Sequence, residues 1–212
     1  MTTKQLALTL CLLATTTVHG GHGLMNSFAD IEWLPDPGVT PDQIGYRLDR
    51  LAENAALQFA QSPDEEISRC LEFALEKLAE TSAMIKTQNP LAASIAMRHY
   101  GGYIARVAAI IERAEPPITA HRHRFINALL EHLYIMSVDY LDMPLGVRTS
   151  LSPLFANALQ QFEAQSARLS KGEKAALFFK EEEIRWSLEM THQADEQKIT
   201  NWDGGVLAVG TD

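Results

Sequence analysis

At 212 residues the chain has room for one domain, or one with a small appendage, and its 46% hydrophobic and 21% charged residues are those of a globular protein. Its formal net charge is -9, and -10 without Lys4, the only charged residue before Asp30. A chain this acidic has no general affinity for phosphate backbones or anionic lipid surfaces, which argues against nucleic-acid binding.

The N-terminal stretch MTTKQLALTLCLLATTTVHGG carries one early cation, an apolar run from Leu6 to Ala14, then small and polar residues. That is the pattern of a secretory signal peptide with a weak basic region, cleaved after Gly20 or Ala29, so residues 1–29 are read as a leader. The run is too short to span a bilayer, and no second run of 18 apolar residues follows. The expectation is an exported protein, periplasmic or extracellular, with no transmembrane segment in its mature form. Cys11 follows a leucine inside the apolar run, which does not suit a lipid-anchoring cysteine. Cys70 is then the only mature cysteine, so no internal disulfide forms and stability must come from the core. Placed beside Leu71, Cys70 reads as a buried, inert thiol.

Helix-start signals recur along the rest of the chain. Thr40-Pro41-Asp42-Gln43 opens a first helix, with Ile44, Leu48, Leu51, Ala55 and Phe59 as its core stripe. Ser62-Pro63-Asp64-Glu65 opens a second, packing Ile67, Leu71, Ala74, Leu78 and Ile85 and leaving Glu72, Glu76 and Glu80 to solvent. Asn89-Pro90 opens a third, carrying Ile95, Ile104, Val107 and Ile111 and ending before Pro116-Pro117. The fourth runs from about Thr119 to Asp142 with Phe125, Leu129, Leu133 and Met136, and stops at Pro144. A fifth is placed from Pro153, after a Ser152 cap, to about Leu169. A sixth, from the Ser170–Glu173 capping box to about Gln193, uses Leu177, Ile184 and Leu188. No segment alternates with period two. The expected fold is all-α, a bundle of five to six antiparallel helices over residues 30–193, with 194–212 as a flexible tail.

Three of the seven histidines fall between Ile118 and Tyr134. On a helix His121 and His123 diverge by roughly 200°. His132 lies on nearly the face of His121 but about 16 Å further along the axis. They converge on one ion only if His121 and His123 both precede the helix, with Glu112 or Glu115 completing the set. HExxH, repeated ExxH and CxxC are all missing. His123, between Arg122 and Arg124, reads as part of a solvated basic helix start, and His132 as a partly buried side chain with a hydrogen-bond partner. Nor is there a GxSxG, a P-loop or a dinucleotide fingerprint. The run KEEEIRW, Lys180 to Trp186, reads as a solvated helix face. No catalytic residue and no cofactor are expected, and His121 and His123 remain weak metal candidates.

The passage from Trp33 to Arg113 has a further shape. Leu34-Pro35-Asp36 leads to Pro41, Tyr46 and the run Arg50-Leu51-Ala52-Glu53, then Phe59, Pro63-Asp64 and Leu78-Ala79-Glu80. In these elements the chain resembles a family of exported bacterial and archaeal helical domains, domain-of-unknown-function family 5667, with a looser echo to about Arg168. Asp42-Gln43-Ile44-Gly45 departs from the Ser-Pro that the family often has before its aromatic residue. The resemblance implies an exported helical domain and carries over no catalytic residue.

The leading functional expectation is a non-catalytic bundle acting through protein contacts in the cell envelope, with an unknown envelope protein or by self-association. Tyr100, Gly101, Gly102 and Tyr103 are the expected contact surface, the glycines admitting a partner helix. The alternatives are a ligand- or metal-sensing module at His121 and His123, and an unrecognised hydrolase needing buried carboxylates or a Cys70–His pair.

Overall fold

The computed structural model describes residues 34–114, 119–142, 145–178, 180–184 and 186. The leader, Glu115, Leu188 and the tail from 194 lie outside them. The described residues form an all-α fold: α1 (Tyr46–Gln58), α2 (Pro63–Lys86), α3 (Pro90–Arg113), α4 (Thr119–Asp142) and α5 (Leu145–Ser166). A further stretch is helical over 171–178 and 180–184.

Helices α2 and α3 are the central antiparallel pair, joined by a three-residue turn in which each residue has one task. Thr87 caps α2, Gln88 takes the left-handed conformation at φ 58°, and Asn89 caps α3. Asn89 N–H reaches back to the Met84 carbonyl (2.8 Å) and Gln88 N–H to that of Ile85 (2.9 Å), closing α2 with a Schellman motif. The Asn89 side chain then accepts from Ala92 N–H at 3.3 Å, with Pro90 at a position that needs no donor. The α2 start behaves as its sequence dictates. Ser62 Oγ accepts from Glu65 N–H at 3.2 Å, and the Glu65 carboxylate returns to Gln61 N–H at 2.7 Å.

Packed on this pair are α4 and α5, and the core collects Ile67, Leu71, Ala74 and Leu78 of α2 with Ile104, Val107 and Ile111 of α3. Phe125, Leu129, Leu133 and Met136 of α4 join them. Burying a side chain of this size is worth about 1.5–3 kcal/mol, so these stripes dominate stability.

Two boundaries and two burials differ from the sequence reading. Thr40 caps nothing: its hydroxyl donates to Asp42 Oδ1 at 2.6 Å, and residues 40–45 run through turns closed by Gln43 N–H to Thr40 O and Tyr46 N–H to Gln43 O. With Thr40 occupied locally, α1 begins at Tyr46 behind Gly45, with no side-chain cap. Helix α5 begins eight residues before Pro153, which sits inside it. Leu151 and Arg148, buried upstream of the proline, anchor that earlier part, and anchorage outweighs a lost hydrogen bond. Finally, Glu80 and Lys180 are buried rather than solvated.

A buried charge cluster beneath an exposed apolar helix face

Helix α1 has two stripes at helical spacing. One is apolar: Ile44 in the preceding turn, then Leu48, Leu51, Ala55 and Phe59 after the last turn. The other is polar: Tyr46, Asp49, Arg50 and Glu53, extended by Leu57. Sequence periodicity assigns the apolar stripe to the core. The structure turns it outward, leaving Ile44 102% exposed, Leu48 71%, Leu51 64% and Phe59 77%. Inward go Tyr46, Glu53 and Leu57, all buried.

The cause lies in what α1 covers. Lys77 of α2 is fully buried, as is Glu80, and a buried charge without partners costs several kcal/mol. Lys77 Nζ lies 2.6 Å from Glu53 Oε1 and hydrogen-bonds Glu80 Oε1, with Asp49 Oδ2 further off at 3.8 Å. The same ammonium sits 5.1 Å from the centroid of the Tyr46 ring. The Arg50 guanidinium donates to Glu53 Oε2 and to the Tyr103 hydroxyl, and lies 5.2 Å over the Tyr103 ring. Tyr103 in turn donates to Glu53 Oε2, while its ring packs 5.6 Å from that of Phe73. Tyr46 faces His99 of α3 at 6.1 Å. Were α1 rotated to bury its apolar stripe, Lys77 would lose Glu53 and its aromatic face.

The electrostatics follow the charge count. Two cations, Arg50 and Lys77, meet Asp49, Glu53 and Glu80. Burial alone would raise Glu53, but hydrogen bonds from Lys77 and Tyr103, with the charges of Lys77 and Arg50, hold it below the ordinary carboxylate value. Glu80 goes the other way, to about 7, pushed by burial and by the charge of Glu53 against the pull of Lys77. Tyr46 and Tyr103 are raised first by burial, then by Glu80 and Glu53 respectively, and stay neutral phenols. An ammonium clamped between carboxylates is neither a nucleophile nor a base. With Lys77, Glu53 and Glu80 all closed to solvent, the cluster works as a clasp holding α1 to α2 and α3.

The residues singled out in the sequence fall elsewhere. Tyr100 and Tyr103 are buried, whereas Gly101 is half-buried and Gly102 exposed, so the four do not form one exposed surface. Helical geometry explains the correction: the tyrosines, three apart, share the inward face and the glycines fall off it. A Cβ added at either glycine would meet nothing within 4 Å among the described residues, so none of the described helices crosses closely there. His121 Nδ1 lies 3.2 Å from Asp64 Oδ1 at the start of α2, and His123 Nε2 lies 2.6 Å from Glu173 Oε1, so the two turn to different elements. Glu112 pairs with Arg168 at 3.1 Å. Among the described residues no three His, Cys, Asp or Glu side chains are placed to hold a metal ion together. Burial pushes the Cys70 thiol up to about 11, which removes it as a nucleophile at neutral pH.

His132 is buried rather than partly buried. Its ring meets that of Tyr100 edge-on at 5.5 Å, and burial drives the imidazole down to about 4. The expected hydrogen-bond partner of His132 is not at Nδ1, which, like the Tyr100 hydroxyl, has none among the described residues.

Sequence reasoning missed the clasp, though one signal was present. Cys70, Ala74, Lys77, Thr81 and Met84 lie on one helical stripe, all buried, so a lysine stands among core positions.

Residues 38–133 match the family model described as a domain of unknown function, DUF5667, in agreement with the resemblance read from the sequence. The matched span covers α1 to α3 and the first part of α4, and so contains both the clasp and the outward stripe; the looser echo to about Arg168 lies beyond it. No curated protein and no solved structure matches the chain.

Proposed function

We propose that this chain, whose residues 38–133 match the DUF5667 family, is an exported, non-catalytic helical module that acts by protein contact through the outward face of α1. The observation that carries the reading is the exposed stripe of Ile44, Leu48, Leu51 and Phe59 on a helix held in that orientation from beneath. Single exposed apolar residues are ordinary, but four large ones aligned along α1 and the turns at its two ends are of the kind that marks an interaction site. The spacing suits a helix or groove reading anchors at i, i+4 and i+7. Among the described residues no helix is long and apolar enough to cross a membrane, and the patch carries too few cations to favour an anionic bilayer. Export rests on the Leu6–Ala14 run and its flanks.

A photo-reactive amino acid at position 48, activated in cells producing the chain, tests the contact. The expected outcome is a discrete protein adduct that disappears in the Leu51→Glu background. No adduct from positions 48, 51 or 59 would end the reading. N-terminal sequencing of the chain recovered outside the cytoplasm tests export, with a new terminus after Gly20 or Ala29 expected.

A further inference from the structure

We infer that α1 is a proton-gated latch: the buried Glu80 carboxyl keeps α1 closed over α2 and α3 while it holds a proton, and loss of that proton favours release of α1 as a unit. The device does not depend on what the outward face of α1 touches.

The latch is built from charge more than from apolar burial. Leu57 is the one α1 residue in the shared core, and the other inward contacts are those of Tyr46, Arg50 and Glu53 with Lys77 and Tyr103. Within that layer Arg50 and Lys77 bring two positive charges against the three carboxyl groups of Asp49, Glu53 and Glu80. A site closed to water holds surplus negative charge only at high cost, so one carboxyl takes up a proton instead.

The contacts pick out which carboxyl. Glu53 has Lys77 Nζ at 2.6 Å from Oε1, and both Arg50 and Tyr103 donate to its Oε2. Asp49 keeps 37% of its side-chain surface in water. Glu80 is closed to solvent, must share the Lys77 ammonium with Glu53, and has no donor to its Oε2 among the described residues. Its surroundings offer no second cation. Its own helix adds the half-buried Glu76, α1 presents Tyr46, Asp49 and Arg50 besides Glu53, and α3 brings His99 and Tyr103 to the same layer. The buried titratable group of α4, His132, turns to Tyr100 instead.

The sign follows from what α1 carries with it. In the closed form burial and the Glu53 charge push Glu80 up to about 7. When α1 lifts away, its cover and Glu53 leave too, and Glu80 returns towards the ordinary 4.5. The closed form thus binds the proton more tightly. Its advantage is complete below 4.5 and is lost as pH rises to about 7. Asp49 and Glu76, raised first by burial, act in the same direction, and His99, lowered first by burial, acts against them. From about pH 5.5 to about pH 8, Glu80 alone should multiply the opening constant of α1 by about 30.

Native-state hydrogen exchange of the full chain at those two pH values, corrected for intrinsic exchange rates, tests this on the amides of Leu51 to Gln58. Glu80→Gln keeps the shape of the protonated carboxyl and removes its titration. The opening constant of the parent divided by that of Glu80→Gln should rise about 30-fold across the interval, a ratio in which the titrations common to both chains cancel. Throughout, these amides should open more readily than those of Leu71 to Ile85 in α2. The carboxyl carbon resonance of Glu80 in the parent gives a reading that needs no variant, with a midpoint near 7 expected. A ratio that stays constant with pH, α1 amides that exchange only together with those of α2, or a Glu80 midpoint at the ordinary 4.5 would each overturn the latch.

Discussion

Lys77 decides more than any other single residue. Its ammonium is closed to solvent and answered by Glu53 and Glu80, so removing it strands Glu80 in a poorly solvated site and leaves Glu53 to Arg50 and Tyr103. Breaking one side of a buried pair costs about 3–5 kcal/mol, whereas replacing all partners by neutral groups of similar shape is often near neutral. Lys77→Met should lose that amount in urea unfolding at pH 8, and Lys77→Met/Glu53→Gln/Glu80→Gln should regain most of it. A single variant as stable as the parent would show that the cluster is solvated. The pH dependence has two opposed parts. Glu80, raised from 4.5 to about 7, makes the folded chain hold the extra proton, so its contribution is present below about 4.5 and lost as pH rises to 7. Asp49 and Glu76, both raised first by burial, act in the same direction. His132, lowered from 6.5 to about 4, does the reverse, contributing above 6.5 and losing that contribution as pH falls towards 4; His99, lowered first by burial, adds to it. The depressed Glu53 acts only below the ordinary carboxylate value of 4.5. Between pH 5 and 6.5 the two trends cancel in part. Glu80→Gln should make Tm climb with pH over that interval, and His132→Gln should make it fall; thermal melts of both variants read the sign directly.

At the scale of elements, what the sequence made legible was whatever depends on local chemistry. The Ser62, Asn89 and Ser170 caps are in place, the last with Ser170 N–H on Glu173 Oε2 at 2.7 Å, and the buried stripes of α2 and α4 are those the periodicity names. What stayed hidden depends on the facing element. Whether Thr40 caps or spends its hydroxyl on Asp42 is a choice between two local bonds, and Pro153 is tolerated because Leu151 and Arg148 are anchored before it. The α1 error is the instructive one. Its apolar stripe was visible, but which stripe turns inward was fixed by Lys77, 24 positions downstream of Glu53, and amphipathicity alone carries no sign. The α3 glycines yield to the same treatment. They look like a packing device in sequence and stand clear of every described residue in the structure. Gly101→Ala and Gly102→Ala should therefore each stabilise by roughly 1 kcal/mol, the helix-propensity difference, with nothing to clash among the described residues. A loss measured by chemical unfolding for either would mean that another molecule approaches α3 there.

For the molecule as a whole, apolar burial and charge pairing hold different parts. Helices α2 to α5 share one continuous core, whereas α1 contributes only Leu57 to that core and is otherwise held by Tyr46, Arg50 and Glu53 against Lys77, Glu80 and Tyr103. A few buried ion pairs have little net worth once desolvation is counted, while each large core side chain contributes about 1.5–3 kcal/mol. It follows that α1 should open below the global unfolding free energy, as a local unit, without disturbing the rest. Native-state hydrogen exchange reads this out. Amides of Leu51 to Gln58 should exchange with an opening free energy well below that of Leu71 to Ile85 in α2, and that gap should widen in Glu53→Gln, which loosens the clasp alone. Equal protection in α1 and α2 would instead show that the clasp couples α1 fully to the core, and that the outward stripe is carried on a rigid face.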